Sequence, residues 1–415
     1  MPIHARSRLP HQETTVQSRN RITLFIIIVF LYWAALYLYA PTLPVYAQTK
    51  TNNLALVGVV ISMYGLWQAI VRLPIGIVSD WLGRRKPFIL VGFVLVGSGA
   101  WMMGRAGDIS DLIIGRAITG LAAGTWVPLV VAFNSLYPAE DGIKATSIMT
   151  LVGSISRLLV TSVTGSLNDL GGYPLAFFLA AGTAVLAILI LLPYKEMRRP
   201  TQAPTLRGII NLSTRRDVMV PSLLNFITQY VVMATTFGFI PILANKLGAT
   251  NVIQSVMVTT NLALLILGNL LIAPITKRVN QQNIIIASFI LMSMGIATVA
   301  MANSLGIIFL SQVLLGLSGG ISYPLLMGMS IERVADRERS TVMGLHQAIY
   351  GVGLFAGPWL SGIIANVIGI QSMFGLTSLA CLVIGVLGAR AIALPSLFSA
   401  KPGSPGGDGD GLRNG

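Results

Sequence analysis

Twelve apolar segments follow one another along this chain of 415 residues. Each is about 19–26 residues long, which is enough for an α-helix to cross a hydrocarbon core of about 30 Å. Only 10% of the residues are charged, whereas a soluble globular domain carries about 25% charged residues. The chain is therefore predicted to be an all-α membrane protein with twelve transmembrane helices. We number these helices spans 1 to 12, and they run near 22–46, 54–79, 87–105, 112–136, 146–167, 174–193, 218–243, 253–275, 284–302, 305–330, 341–366 and 371–394.

The basic residues are distributed unevenly between the two sides of the predicted membrane. With a cytoplasmic N-terminus, 22 of the 28 Lys and Arg residues fall on the cytoplasmic side and three fall on the outer side. This positive-inside asymmetry predicts a multi-pass protein of the cell membrane (inner or plasma membrane) with both termini in the cytoplasm. Topology and anionic lipid thus explain the net charge of +14 without nucleic-acid binding. The last three basic residues lie inside spans: Arg72, Arg116 and Arg157.

A polar stretch divides the spans six and six. Residues 194–217 are predicted to be a cytoplasmic central loop between an N-terminal bundle at 22–193 and a C-terminal bundle at 218–394. Residues 1–21 are predicted to be a cytoplasmic tail rather than a signal peptide. The Gly/Pro-rich residues 395–415 are predicted to be a disordered tail.

The two halves also repeat in sequence. Residues 116–128 in span 4 share their glycine and proline spacing with residues 312–324 in span 10, at an offset of 196. The proline and alanine within 44–47 of span 1 recur within 241–244 of span 7, at an offset of 197. Matching offsets indicate two pseudo-symmetric six-helix bundles that arose by duplication.

The end of span 2 carries a compact motif in residues 72–86, RLPIGIVSDWLGRRK. Three of its residues recur in steps of four and so share nearly one helix face. A glycine then follows that is predicted to end the helix, and two arginines lie where cytoplasmic loop charges belong. We predict a role in gating for the residues of this pattern, which are Arg72, Gly76, Asp80, Gly83, Arg84 and Arg85.

This motif resembles the loop between the second and third helices of the major facilitator superfamily, and it occurs at the end of the second apolar segment, as in that family. The resemblance implies the fold of that family and a bacterial-type secondary transporter. Such a protein would move a small organic solute by alternating access. We therefore expect no enzymatic activity, no catalytic residues, no cofactor and no metal site, and Cys381 is the single cysteine.

Three functions remain open. Efflux or exchange of a small organic solute with an anionic part is favoured, because the charges predicted within the spans are arginines rather than carboxylates. A polyspecific multidrug exporter is the alternative, although Val160 and Thr161 stand where antiporters of the family carry Gly-Pro in the fifth helix. A membrane receptor that does not transport would need a soluble domain or a catalytic constellation, and we find neither in the sequence.

Arg157 is the foremost candidate for binding the substrate. It lies near the middle of span 5, and transporters of this kind bind substrate near the midplane. An arginine at this depth is costly unless it faces protein or water, so it either binds an anionic group or satisfies helix carbonyls. Polar and aromatic residues of facing spans complete the predicted substrate site, which consists of Arg157, Trp33, Tyr37, Asn225, Gln229, Tyr230, Asn261, Gln347 and Tyr350.

Two further residues are candidates for coupling. Arg116 matches a helix-4 motif that the family resemblance links to structure and proton coupling. His346 lies within span 11 and has an unperturbed pKa of about 6.5, so it is either a proton carrier or a neutral, hydrogen-bonded residue of a gate. The predicted partners are a small-molecule substrate, membrane lipid and a coupling proton or counter-ion, with no nucleic acid, and the protein is expected to be a monomer.

Overall fold

The computed structural model of the protein describes residues 11–138, 141–196, 212–335 and 338–392. Within these residues, twelve helices are long and apolar enough to cross a membrane, which confirms the predicted all-α architecture. The predicted tail at 395–415 and most of the predicted central loop lie outside the described residues. The spans run over Asn20–Tyr37, Leu54–Leu82, Lys86–Gly104, Ile109–Asn134, Lys144–Gly171, Tyr173–Leu191, Arg216–Lys246, Asn251–Thr276, Gln281–Ala300, Leu305–Glu332, Thr341–Ile368 and Ile370–Ala391.

Spans 1 and 7 contain interruptions that hydropathy does not reveal. In span 1 the helix ends at Tyr37, a turn occupies 38–42, and a short helix resumes at Leu43–Gln48. The predicted continuous segment at 22–46 is therefore broken. In span 7 a π-helical turn at Thr235–Phe239 separates two α-helical pieces.

A proline lies in or just after each interruption. Pro41 in span 1 and Pro241 in span 7 have no backbone N–H, and each ring clashes with the carbonyl four residues earlier in a regular helix. The two irregular turns, which we call the span 1 turn (38–42) and the span 7 turn (235–239), differ by 197 in residue number. This is the offset that relates the two halves, so the turns are pseudo-symmetric counterparts.

Polar caps fix where several spans begin and end. The side chain of Asn53 accepts hydrogen bonds from two backbone N–H groups in the first turn of span 2. Asp108 and Asp111 form a capping box at the start of span 4. Gly83 ends span 2 as predicted, with a left-handed φ of 62° that favours glycine.

The two halves meet along spans 2 and 11 and along spans 5 and 8. We call the end of the molecule that carries Gly83 the basic end, and the opposite end the far end. Glycine lets the backbones approach closely: Gly58 lies against the carbonyl oxygen of Pro358. Three hydrogen bonds join the halves toward the far end, and they link Leu54 N with Asn366 Oδ1 (3.1 Å), Asn251 Nδ2 with Asp169 Oδ1 (2.8 Å) and the hydroxyls of Thr161 and Thr259 (3.1 Å).

The halves separate toward the basic end. A Cβ placed on Gly351 would lie 2.8 Å from the Cβ of Ala69 in the other half. Two turns nearer the basic end, a Cβ on Gly344 would have no atom within 4 Å, and a Cβ on Gly76 would meet Val127 of its own half at 3.3 Å. The halves therefore pack closely toward the far end and lie farther apart toward the basic end, and we call the space between them there the cavity.

Candidate functional site

Arg157 lies half-buried in this cavity, between two aromatic rings of span 1. Its guanidinium carbon is 4.7 Å from the ring centroid of Trp33 and 5.7 Å from that of Tyr37. The Nε atom donates to the carbonyl oxygen of Gly153 (3.2 Å), and Nη2 donates to the hydroxyl of Ser154 (3.2 Å). These contacts fix the plane of the guanidinium and leave Nη1 without a hydrogen-bond partner in the described residues.

Arg116 forms a second arginine–aromatic cluster closer to the far end. Its guanidinium carbon is 4.7 Å from the ring centroid of Tyr64 and 6.0 Å from that of Tyr39. The side chain is only 5% exposed, and its Nε has no hydrogen-bond partner among the described residues. Gly120, one turn along span 4, packs against the backbone of Tyr64 and so holds spans 2 and 4 together.

Arg72 lies on the cavity side of span 2. Its buried Nη1 has no hydrogen-bond partner in the described part of the chain. Arg72 and Arg157 are both close enough to Tyr350, on the opposite half, for their positive charges to interact with its side chain. Arg72 is likewise close enough to Tyr32 for an electrostatic interaction. The structure thus brings two of the three arginines in the spans toward one tyrosine of the C-terminal half.

The C-terminal half contributes an uncharged polar wall. The rings of Tyr350 and Tyr323 have centroids 5.9 Å apart, and Gln347 Nε2 lies 3.5 Å from the hydroxyl of Tyr323. All three side chains are half-buried, as expected for residues that border an open cavity. Of the predicted substrate residues, Arg157, Trp33, Tyr37, Gln347 and Tyr350 therefore border the space between the halves.

The other four predicted substrate residues lie between helices. Gln229 packs its Cβ against Gly353 of span 11. The hydroxyl of Tyr230 is 2.9 Å from that of Ser361, and Asn261 donates from Nδ2 to the carbonyl oxygen of Gln312 (3.2 Å). Asn225 is fully buried beside His346. These contacts hold spans of the C-terminal half together.

His346 is fully buried in a polar contact between spans 7 and 11. Its Nδ1 is 3.0 Å from the Ser222 hydroxyl, and its Nε2 is 2.9 Å from Nδ2 of Asn225. The Ser222 hydroxyl donates to the carbonyl oxygen of Val218, so its oxygen accepts from Nδ1–H while Nε2 accepts from the Asn225 amide. This arrangement suits a neutral imidazole, in line with the second of the two roles predicted for it.

The predicted gate motif is stabilised within its own half in this conformation. Asp80 Oδ1 accepts from Arg85 Nη2 at 3.1 Å. Arg84 is exposed, whereas Arg85 is buried. Glu196, which the sequence did not single out, accepts from the backbone N–H groups of Arg85 (2.6 Å) and Lys86 (2.9 Å) and so caps span 3.

Carboxylates are distant from this cavity in the part of the chain that the structure describes. Two ion pairs of this part of the chain, Arg85–Asp80 and Arg215–Asp217, both lie at the basic end. No cluster of three or more His, Cys, Asp or Glu residues that could hold a metal ion occurs among the described residues. The arginines at the cavity can therefore offer positive charge to a ligand without first breaking a salt bridge.

Two aromatic residues of the site were missed at the level of sequence. Tyr323 faces Tyr350, and Trp126 lies 5.0 Å from Trp33, measured between ring centroids. Both residues fall within or beside the repeated glycine and proline pattern of spans 4 and 10. The signal available in the sequence was an aromatic residue one or two positions before the repeated proline.

Comparison with known proteins gives a consistent result. A family model described as Major Facilitator Superfamily matches residues 25–242 and 222–409. An uncharacterized MFS-type transporter of Methanocaldococcus jannaschii is 20% identical over 366 residues, covering 84% of this chain and 92% of the relative. Multidrug resistance protein MdtG of Escherichia fergusonii is 25% identical over 374 residues, covering 86% of this chain and 90% of the relative. The crystal structure of the nucleoside transporter NupG superposes with a TM-score of 0.74 at 16% identity, covering 90% of this chain and all of that chain.

Proposed function

Because the chain belongs to the Major Facilitator Superfamily and is a multi-pass membrane transporter, we propose that it carries a small organic anion across the cell membrane. The single observation that supports this substrate class is Arg157. It is a half-buried arginine in a cavity open at one end, with Nη1 unpartnered and no carboxylate paired with it among the described residues. A buried positive charge of this kind is stabilised when an anion visits it.

The surroundings of Arg157 suggest how the anion would be held. A guanidinium fixed in its plane presents parallel N–H groups that match the two oxygens of a carboxylate or a phosphate. Trp33 and Tyr37 would pack against the apolar body of the substrate. Tyr350 and Gln347 would donate hydrogen bonds from the opposite half, so that binding draws the two halves together.

We propose efflux or exchange as the direction of transport. With the basic end in the cytoplasm, the open cavity is the cytoplasm-facing state, which loads solute from inside the cell. Efflux and exchange both require such a state, in which solute enters the cavity from the cytoplasm. The gate motif around Asp80 is proposed to join the halves in the opposite state, since in this state Asp80 pairs within its own half.

Polyspecific drug efflux is a second candidate, and one observation favours it. Aromatic side chains cluster at the cavity wall, where Trp33 packs edge to face against both Tyr37 and Trp126. Aromatic surfaces accommodate flat organic molecules of many shapes, and the MdtG relative is named for multidrug resistance. A cationic drug would meet Arg157 unfavourably, whereas an anionic or neutral one would not.

The experiment is transport by the purified protein in proteoliposomes, with panels of organic anions and cations and with and without a pH gradient. We expect uptake or exchange of an anion. Arg157→Lys should weaken its binding, and Arg157→Gln should weaken it by about tenfold or more, because a charge-assisted pair is worth about 1.5–3 kcal/mol. The melting temperature of the empty protein should stay unchanged.

Arg105→Gln is the matched control, since Arg105 is an exposed arginine in the connection between spans 3 and 4. It should transport and bind like the wild type. Normal anion binding by both Arg157 variants, or failure of the empty Arg157→Gln protein to fold, would make Arg157 part of the scaffold. Transport of cations alone would contradict the proposed anionic substrate class.

A further inference from the structure

A second and much smaller cavity lies between the halves, on the far-end side of Arg157. It has room for about 20 Å³ and is walled by spans 1, 2, 4 and 7. A cavity needs about 10–15 Å³ to hold one water molecule, so this one holds a single small species and excludes an organic substrate. Its walls include Tyr37, Ala40, Tyr64, Arg116, Met233 and Phe237.

Arg116 is the charged group of this small cavity. The side chain is 5% exposed, and its Nε makes no hydrogen bond to the described part of the chain. The face of the Tyr64 ring at 4.7 Å offers partial compensation of the charge. Cation–π contact alone leaves the N–H groups unsatisfied, and unsatisfied buried donors are costly.

No carboxylate pairs with Arg116 among the residues that the structure describes. Asp111 is the nearest acidic residue along span 4, and its carboxylate is turned toward the start of the helix, where it accepts from the backbone N–H of Gly107 at 2.8 Å. The remaining walls of the cavity are aromatic or aliphatic. A weakly hydrated anion with one charge fits such a site better than a strongly hydrated or divalent one.

We propose that this cavity binds one halide-sized inorganic anion at Arg116, and that the ion is the counter-ion of the transport cycle. The role of the ion as a counter-ion rests on the proposed transport function, whereas its binding is inferred from the cavity and Arg116 alone. It assigns different ligands to the half-buried Arg157 and the buried Arg116, with the organic anion at Arg157 and a single small ion at Arg116.

The walls of the cavity connect ion binding to movement of the halves. Ala40 belongs to the span 1 turn and Phe237 to the span 7 turn, so the two pseudo-symmetric irregular turns face one another across the site. Tyr37 contacts Phe237 edge to face, with ring centroids 5.7 Å apart. Opening of the far end would part these walls and release the ion on that side, while closure would trap it.

The test measures halide binding without any transport. Purified wild-type protein is melted in sodium bromide and in sodium gluconate at equal ionic strength, and crystals grown in bromide are examined for anomalous scattering. We expect bromide to raise the melting temperature on the order of 2 °C. We also expect an anomalous peak within hydrogen-bond distance of the Arg116 guanidinium.

Variants of the site separate binding from scaffold effects. Arg116→Gln should abolish both the bromide-dependent shift and the peak. Where Arg116→Gln fails to fold, Ala40→Val tests the same point, because it keeps the charge and adds two carbon atoms to the wall of a cavity of about 20 Å³. Arg157→Gln is the matched control and should keep the bromide response.

The outcomes distinguish this site from the proposed substrate. A bromide response that is absent in the wild type means that the cavity holds water only and overturns the proposal. A response that survives both Arg116→Gln and Ala40→Val overturns it as well. A bromide response that depends on Arg116, in a protein that carries no organic anion, supports the ion site and refutes the substrate class instead.

Discussion

At the scale of single residues, Gly153 decides whether Trp33 can reach Arg157. A Cβ on Gly153 would lie 2.6 Å from Nε1 of Trp33, closer than real Cβ contacts come. Gly153→Ala should therefore push the indole away from the guanidinium and remove a cation–π contact worth about 0.5–2 kcal/mol. We expect affinity for the proposed organic anion to fall about twofold to thirtyfold, as measured by equilibrium binding and tryptophan fluorescence.

Gly182→Ala is the control for this change, since a Cβ on Gly182 in span 6 has no atom within 4 Å. It should leave affinity and fluorescence as in the wild type. Equal affinities for wild type and Gly153→Ala would mean that the Trp33 contact contributes nothing to substrate binding.

His346 is the second residue whose role a single substitution can decide. Both ring nitrogens form hydrogen bonds, with Ser222 and Asn225, and the side chain is buried away from the cavity. We therefore expect an imposed pH gradient to drive transport weakly, and His346→Gln to leave that response unchanged. The measurement is initial rate with and without the gradient for both proteins. A strong response that disappears in His346→Gln would identify this histidine as the proton carrier.

At the scale of elements, the junction of spans 2 and 3 joins Asp80, Arg85 and Glu196 in one cluster. Because Asp80 is partly exposed, its ion pair contributes at most about 1 kcal/mol to stability. Asp80→Asn should fold normally yet lower transport and favour the state that is open at the basic end. Reactivity of cysteines introduced along the basic-end cavity should rise.

Asp217→Asn is the matched control, since Asp217 pairs with Arg215 at 2.6 Å at the basic end of the other half. That variant loses a comparable ion pair outside the gate motif and should transport normally. Full transport and unchanged cysteine reactivity in Asp80→Asn would end the gating hypothesis for this motif.

The elements also show how far sequence alone can go. Segment length and hydropathy determine which helices cross a membrane, because every backbone polar group must be satisfied within the span, so the twelve spans were predictable. The interruptions at the span 1 turn and the span 7 turn were not predictable from the sequence, because Pro74 and Pro324 lie inside helices that stay continuous. Only packing between spans decides which prolines break a helix.

The sequence likewise predicted the position of some site residues and not of others. A spacing of four puts His346 and Tyr350 near one face of span 11, yet His346 is buried against span 7 while Tyr350 borders the cavity. One face of a helix is wide enough to contact both a neighbouring helix and a cavity. A single sequence does not show which residues of that face contact the helix and which border the cavity. Arg157 was predictable because a charge at its depth has few alternatives.

At the scale of the whole molecule, the two halves are similar in fold and different in charge. Arg72, Arg116 and Arg157 all belong to the N-terminal half, whereas the facing wall of the C-terminal half is built from tyrosine and glutamine. Gln312 occupies the position that corresponds to Arg116, at the offset of 196. The two halves thus share a scaffold, while the positive charges in the interior of the described spans are confined to the N-terminal half.

The balance between open and closed states depends on the few polar contacts that bridge the far end. Asn251 donates to Asp169 at 2.8 Å, and the span 2 backbone at Leu54 donates to Asn366 at 3.1 Å. Each contact is exposed or half-buried and is worth about 0.5–1.5 kcal/mol. Removing both in an Asp169→Ala, Asn366→Ala double variant should therefore shift the equilibrium toward far-end opening by about tenfold, since 1.4 kcal/mol changes an equilibrium constant tenfold.

A cysteine introduced at Thr259, which lies at the contact of spans 5 and 8, would report this shift through its rate of modification. The native Cys381 is buried and gives little background. Gln371→Ala is the control, because Gln371 donates to the Ala302 carbonyl at 3.0 Å and so loses a far-end hydrogen bond within one half. We expect faster modification in the double variant and no change in the control. Equal rates in all three proteins would show that glycine-mediated backbone packing, as at Gly58 and Pro358, holds the far end closed without help from these hydrogen bonds.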